Sequence, residues 1–135
     1  MSTLDIEDAI QALTGDKIQF HPEFTKEFRS LAEHSGLEVK ILKEFLQRVS
    51  MIEKLNDAFS GLKWLEKLKH YDNMYSLHLS SSGKNLRALF SRTPDGKLFL
   101  HTFYEKSGKK DTSYKTHVPI AEERRKQYFK EHGYE

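Results

Sequence analysis

Residues 75–104 read YSLHLSSSGKNLRALFSRTPDGKLFLHTFY, and the fold of the chain is decided here. In YSLHL, apolar Tyr75, Leu77 and Leu79 alternate with polar Ser76 and His78, the period of two expected of a strand with one buried face. SSSGKN then reverses the chain, and LRALFSR and KLFLHTFY follow as two further strands. Between them stands Thr93-Pro94-Asp95-Gly96, where proline presets a turn dihedral and glycine is expected to supply a positive φ. Strands joined by such short turns make an antiparallel meander. LFLHTF is apolar on both faces, which places it mid-sheet or under cover on each side.

Outward from this stretch, the charge is polarised. The first 60 residues carry seven basic and eleven acidic side chains, a net of −4. Residues 61–117 carry eleven basic against five acidic, a net of +6, so the overall +2 hides a basic region centred on the strands. The 135 residues suit one domain burying roughly two thirds of its unfolded surface. At 37% hydrophobic and 31% charged the composition is that of a globular chain. Cysteine is absent, which excludes disulfides and thiolate chemistry and suits a reducing cytoplasm. Met1-Ser2-Thr3 leads into acidic residues, unlike a secretory leader, and no apolar run approaches the ~20 residues needed to span a bilayer. The expected location is therefore the cytoplasm, with no membrane partner.

The flanks read as helices. Residues 3–13 place Leu4, Ile6, Ile10 and Leu13 on one side, with Asp5, Glu7 and Asp8 near the positive helix start. This helix, within residues 1–15, either caps the core or docks a partner. Residues 17–20 are a short strand candidate. Pro22 then opens a helix carrying Phe24, Phe28, Leu31 and Ala32 at helical spacing and ending by Gly36. Leu42, Phe45, Leu46, Val49 and Ile52 define a longer amphipathic helix over residues 38–56. Pro119 is expected to open a last helix through about residue 131. The fold class is α+β: a small antiparallel sheet with helices on one face, leaving the other face for function.

Several pieces recur in a definite order. A hydrophobic-Leu-Lys segment, WLEKLK at 64–69, precedes the Tyr-x-Leu-x-Leu strand. Next come an arginine with apolar residues (Leu86, Arg87, Ala88, Leu89, Phe90), a His-x-Phe-x-x-Lys ending (His101, Phe103, Lys106), a basic linker, and Ile120, Ala121 and Arg124 of an Ile-Ala-x-x-Arg helix. This order resembles the RelE/HigB-type toxins of bacterial and phage toxin-antitoxin pairs, in particular their phage-derived branch. The likeness extends over residues 17–133 and is distinctive over 64–125. It implies a compact RelE-like domain over residues 1–135, with the first 15 residues an addition. It also implies an endoribonuclease that cuts translated mRNA on the ribosome, and a cognate antitoxin of helix-turn-helix type.

Cleavage by the RNA's own 2′-hydroxyl needs that hydroxyl deprotonated, the phosphate's added charge stabilised and the leaving 5′-oxygen protonated; cations and an imidazole can do this without a metal or other cofactor. Arg87 could brace the phosphate through its planar fork of donors. His78 titrates nearest neutrality and, by strand parity, points away from Tyr75, Leu77 and Leu79. With Lys106, they form the candidate catalytic set. Ser76, Lys84, Arg92, Tyr104, Lys109, Lys110 and Tyr114 form the candidate RNA-binding set, the tyrosines to stack on bases and the cations to hold phosphates. Tyr104 could equally finish the core, and Lys109, Lys110 and Lys115 could simply solubilise a loop. His101, between Leu100 and Phe103, reads as structural. Two departures from the family pattern stand out: Ser76 and His78 occupy outward strand positions that are often basic, and Glu105 stands where a lysine is common. The seven histidines are scattered without ligand spacing, so no metal site is expected. A second class of function, a non-catalytic inhibitor on the same scaffold such as a gyrase-binding ParE-like toxin, is favoured if Arg87, His78 and Lys106 do not converge.

Overall fold

The computed structural model describes residues 6–15, 17–55, 62–81, 83, 85–106 and 108–134. Its elements are α1 (Ile6–Leu13), β1 (Ile18–Phe20), α2 (Pro22–Ser35), α3 (Glu38–Leu55), β2 (Leu65–Lys67), β3 (Tyr75–Leu79), β4 (Asn85–Arg92), β5 (Lys97–Glu105) and α4 (Lys110–Glu131). The meander forms as its alternation and turns dictate: β3 pairs antiparallel with β4, and β4 with β5. β2 adds to one edge and β1 to the other, in the order β1-β5-β4-β3-β2. β1 runs parallel to β5, so the sheet is mixed where a wholly antiparallel one was expected.

The 93–96 turn explains how β1 fits. Gly96 does not adopt the positive φ expected of it; the described glycines that do are Gly36, Gly83, Gly108 and Gly133. Its missing Cβ serves instead to admit the backbone of Lys17, whose carbonyl accepts from Lys97 N at 2.8 Å. Any side chain at 96 would collide with that carbonyl.

α2 and α3 cover one face of the sheet. Phe24, Phe28, Phe45, Val49 and Ile52 pack on Leu77, Leu79, Ala88, Phe90 and Phe99, all essentially buried. The rings of Phe28 and Phe45 lie 4.7 Å apart, and Phe45 meets Phe99 edge-on at 5.4 Å. Such pairs add about 0.5–1.5 kcal/mol each beyond the area they bury. α1 contributes Ile6 and Ile10 to the same core, and its Glu7 pairs with Arg29 of α2 at 3.2 Å. It therefore acts as a cap on the core. Helix ends follow local chemistry: His21 Nδ1 accepts from Glu23 N at 3.1 Å ahead of Pro22, and Gly36 closes α2 at φ 73°.

The other face is not left open. α4 crosses it, placing Tyr114, Val118 and Ala121 on Leu89, Leu98, Leu100 and Phe103. This helix begins at Lys110, not at Pro119, which lies exposed in its interior. The 4-then-3 spacing of Tyr114, Val118 and Ala121 extends the apolar stripe across the proline, and that burial outweighs the bond the ring removes. The expected ends of the first and third helices, residues 3–5 and residue 56, fall outside the described residues.

Candidate functional site

What α4 leaves uncovered is the end of its face where β3 ends at Leu79 and β4 begins at Asn85. α3 fixes this end: Glu44 Oε1 accepts from Ser81 N at 3.0 Å and Ser81 Oγ at 2.8 Å, and Arg48 both pairs with Glu44 at 2.9 Å and donates to the His78 carbonyl. The Arg48 guanidinium rests over the Trp64 ring at 5.2 Å.

On this anchored end His78 and Arg87 are directly opposed across β3 and β4. His78 Nε2 donates to Asn85 Oδ1 at 2.9 Å, Asn85 Nδ2 donates to Glu105 Oε2 at 3.3 Å, and Arg87 Nε donates to Glu105 Oε1 at 3.1 Å. His78, Asn85, Glu105 and Arg87 are thus linked in one hydrogen-bonded chain at the sheet's end. Burial first, and then the Arg87 charge, holds the His78 imidazole below its ordinary pKa, so it is neutral at pH 7. Asn85 and Glu105 were not foreseen as its members; Glu105, noted only as a departure from the pattern, is the residue that neutralises Arg87. Lys106 follows immediately, its side chain exposed.

The RNA-binding candidates divide. Ser76 and Tyr114 are buried against each other, the Tyr114 hydroxyl donating to Ser76 Oγ at 2.9 Å. Packing by α4, unforeseen before Pro119, is the reason neither offers a face to a base. Burial pushes the Tyr114 hydroxyl pKa up to about 12. Tyr104 turns to the α2 face and donates to the Leu31 carbonyl at 3.3 Å, away from Arg87. Arg92 lies at the far end of β4, about 16 Å along the strand from Arg87 at ~3.3 Å per residue. Lys84 falls outside the described residues. Lys109 and Lys110 are exposed at the start of α4, where Lys110 pairs with Glu66 at 2.6 Å. Beside them an open groove of about 490 Å³ runs between α4 and the segment after β2, with Lys67, Lys69, Lys110 and Lys115 against Glu66 and Asp111. Four lysines stand on its rim, and the side chains of Leu68, Tyr71 and Tyr114 line it.

On the β5 side of the same face, one strand over from Arg87, His101 and Arg124 from the motif order meet through Glu27 of α2. No sequence spacing links these three; only the fold brings them together. Among the described residues no group of three or more His, Cys, Asp or Glu is arranged to hold a metal ion. No described helix is long and apolar enough to cross a membrane.

Comparison with known protein families finds a match over residues 32–126 to the model of the phage-derived Gp49-like proteins, DUF891. The chain belongs to this family. The Gp49-like proteins are a toxin family of the RelE superfamily. Among solved structures, the chain is similar to one from the RelB-RelE antitoxin-toxin complex of Methanococcus jannaschii, at 22% identity over 66% of this chain and 92% of that one, with a TM-score of 0.41. No curated protein matches it. The Gp49-like match begins within α2, so α1 and β1 lie outside it.

Proposed function

We propose that this Gp49-like protein is the toxin of a type II toxin-antitoxin pair, and that it acts as a ribosome-dependent endoribonuclease on translated mRNA. The observation that carries the reading is the opposition of His78 and Arg87 at the one end of the sheet face that α4 leaves open, beside a lysine-rimmed groove. The groove gives RNA an electrostatic path to that end, and the ribosome would supply the positioning that so shallow a surface cannot. Arg87 would leave Glu105 to brace the scissile phosphate, Lys106 adding charge from just beyond the strand, with no cofactor in the reaction. The partners are then mRNA, the ribosome and a cognate antitoxin, met in the cytoplasm.

Induced expression is expected to arrest growth and translation. Primer extension on cellular mRNA should reveal cuts that vanish when initiation is blocked; cuts in purified RNA without ribosomes would identify a free-standing nuclease instead. One feature favours a second reading, a binding inhibitor without catalysis: Arg87 is already paired with Glu105, the two side chains being 12% and 7% exposed. Growth arrest with intact mRNA and inhibited gyrase would select it.

A further inference from the structure

Glu27 on α2, His101 on β5 and His117 on α4 form a hydrogen-bonded chain. Glu27 Oε1 lies 2.9 Å from His101 Nδ1, and His101 Nε2 lies 2.8 Å from His117 Nδ1. Arg124 grips the same carboxylate with both terminal nitrogens, at 2.7 and 2.8 Å, and donates to the Leu100 carbonyl at 2.9 Å. Burial alone would raise the Glu27 pKa, but the hydrogen bonds from His101 and Arg124 outweigh it and bring it to about 2. The carboxylate is therefore ionised and can only accept.

That fixes the protons along the chain. Glu27 lies nearer His101 Nδ1, at 2.9 Å, than the Arg124 nitrogen does, at 3.3 Å, so in the neutral ring Nδ1 carries the hydrogen given to Glu27 and Nε2 is an acceptor. His117 Nδ1 must then carry the hydrogen of the next bond. A lone pair is left on His117 Nε2, which has no hydrogen-bond partner among the described residues. This is the tautomer a general base requires, oriented by a carboxylate acting through a second ring.

The ring is also well placed. It stacks flat on Phe103, centroids 4.0 Å apart and planes at 6°, and lines a groove of about 550 Å³ between α2 and the β5 edge, with Lys26, Ser30, Leu31 and Tyr104. That volume admits one unstacked nucleotide, with Leu31 and Tyr104 as an apolar wall, Ser30 as a polar contact and Lys26 as a cation for phosphate. His78 is less suited: its Nε2 is spent on a neutral amide, and the charges of Arg87 and Arg48 oppose an imidazolium there. At His117 burial and then the His101 ring lower the imidazole pKa, and the charge of Glu27 opposes them.

We propose that His117 is the general base of RNA cleavage, that its groove takes the nucleotide on the 5′ side of the scissile phosphate, and that His101 and Glu27 are positioning residues. This rests on the ribonuclease reading above, keeps Arg87 as its phosphate brace and supplies the proton acceptor. The 2′-hydroxyl gives its proton to His117 Nε2 as the 2′-oxygen bonds to phosphorus. The bond from phosphorus to the 5′-oxygen breaks, and water protonates that oxygen. The imidazolium then loses its proton to solvent, leaving a 2′,3′-cyclic phosphate and a 5′-hydroxyl.

The test uses the full chain on translating ribosomes, together with ¹⁵N NMR of the histidine rings. His117→Gln should lower kcat at least 100-fold, and His101→Asn and Glu27→Gln should lower kcat with little change in KM. Independently of cleavage, His117 should show a bare Nε2 and a protonated Nδ1. His101→Asn should abolish that bias, and adenosine 3′-monophosphate should shift the His117 and Tyr104 signals. Should His117→Gln melt at a much lower temperature, the tautomer and the kcat of His101→Asn decide instead. A protonated Nε2 in the neutral wild-type ring, or full activity in His117→Gln, overturns the proposal. Wild-type protein that cuts nothing overturns the ribonuclease reading and the catalytic role with it; the NMR arms still report on the groove.

Discussion

Glu105 is the residue on which the reading of the sheet end turns. Its carboxylate accepts from both Arg87 and Asn85, so a phosphate entering this end competes with a charge already in place. Glu105→Gln keeps an acceptor for Arg87 while removing the competing charge. If Arg87 is the phosphate brace, this variant should bind RNA more tightly and cleave at least as fast. Weaker binding would mean that the pair is structural. Arg87→Ala is expected to lose roughly 3–4 kcal/mol of transition-state stabilisation. It also strands Glu105 in a largely covered site, so its melting temperature should fall as well, and Arg87→Ala with Glu105→Ala should recover much of that loss. Cleavage that returned along with stability in the double variant would sink the brace.

At the scale of the element, α4 decides what is surface and what is core. Its proline is exposed inside the helix and withholds one backbone donor. Pro119→Ala should restore that bond and stabilise the protein by roughly 1–3 kcal/mol, read as a higher melting temperature in thermal denaturation. A lower one would show that the ring itself shapes the helix. The same proline explains which parts of the architecture were legible in the sequence. Period-two alternation at Tyr75–Leu79 and the caps at Pro22 and Gly36 are local signals, and the elements they mark lie where those signals put them. A proline at the first helical position and one tolerated mid-helix look alike until the partner of Tyr114 and Val118 is known. Hence the sequence puts the start of α4 too late and leaves Tyr114 and Ser76 on an open face, where the helix in fact buries them. β2 is too short to show a period. For the candidate site, the opposition of His78 and Arg87 follows from register, itself set by the short turn between β3 and β4. The Glu27–His101–His117 chain joins residues 74 and 16 positions apart on three elements, and no pattern in the sequence announces it.

At the scale of the whole molecule, charge and burial together set where the fold is most stable. His21, His78 and His117 are each held below the ordinary imidazole pKa of 6.5, in every case chiefly by burial. The unfolded chain therefore binds protons more readily at these positions, and stability present above pH 6.5 is lost as pH falls below that value through the lower folded ones. Glu27 has the same sign in a lower window: its pKa drops from 4.5 unfolded to about 2 folded, so its contribution is complete above 4.5 and lost between there and about 2. Tyr114 acts at the alkaline end, with a pKa raised from 10.0 to about 12; the unfolded chain ionises first, and stability is lost as pH rises through 10. At about 1.4 kcal/mol per unit, Glu27 and Tyr114 each carry roughly 3 kcal/mol across their windows. The expected profile of melting temperature is a plateau between about pH 7 and 10 that falls on both sides. Tyr114→Phe should flatten the alkaline fall and leave the acid side unchanged, whereas Glu27→Gln should lower the plateau and remove most of the drop below pH 4.5. Calorimetry across this range on the three proteins checks the assignment: an alkaline fall that survives Tyr114→Phe would place the responsible group elsewhere than beneath α4.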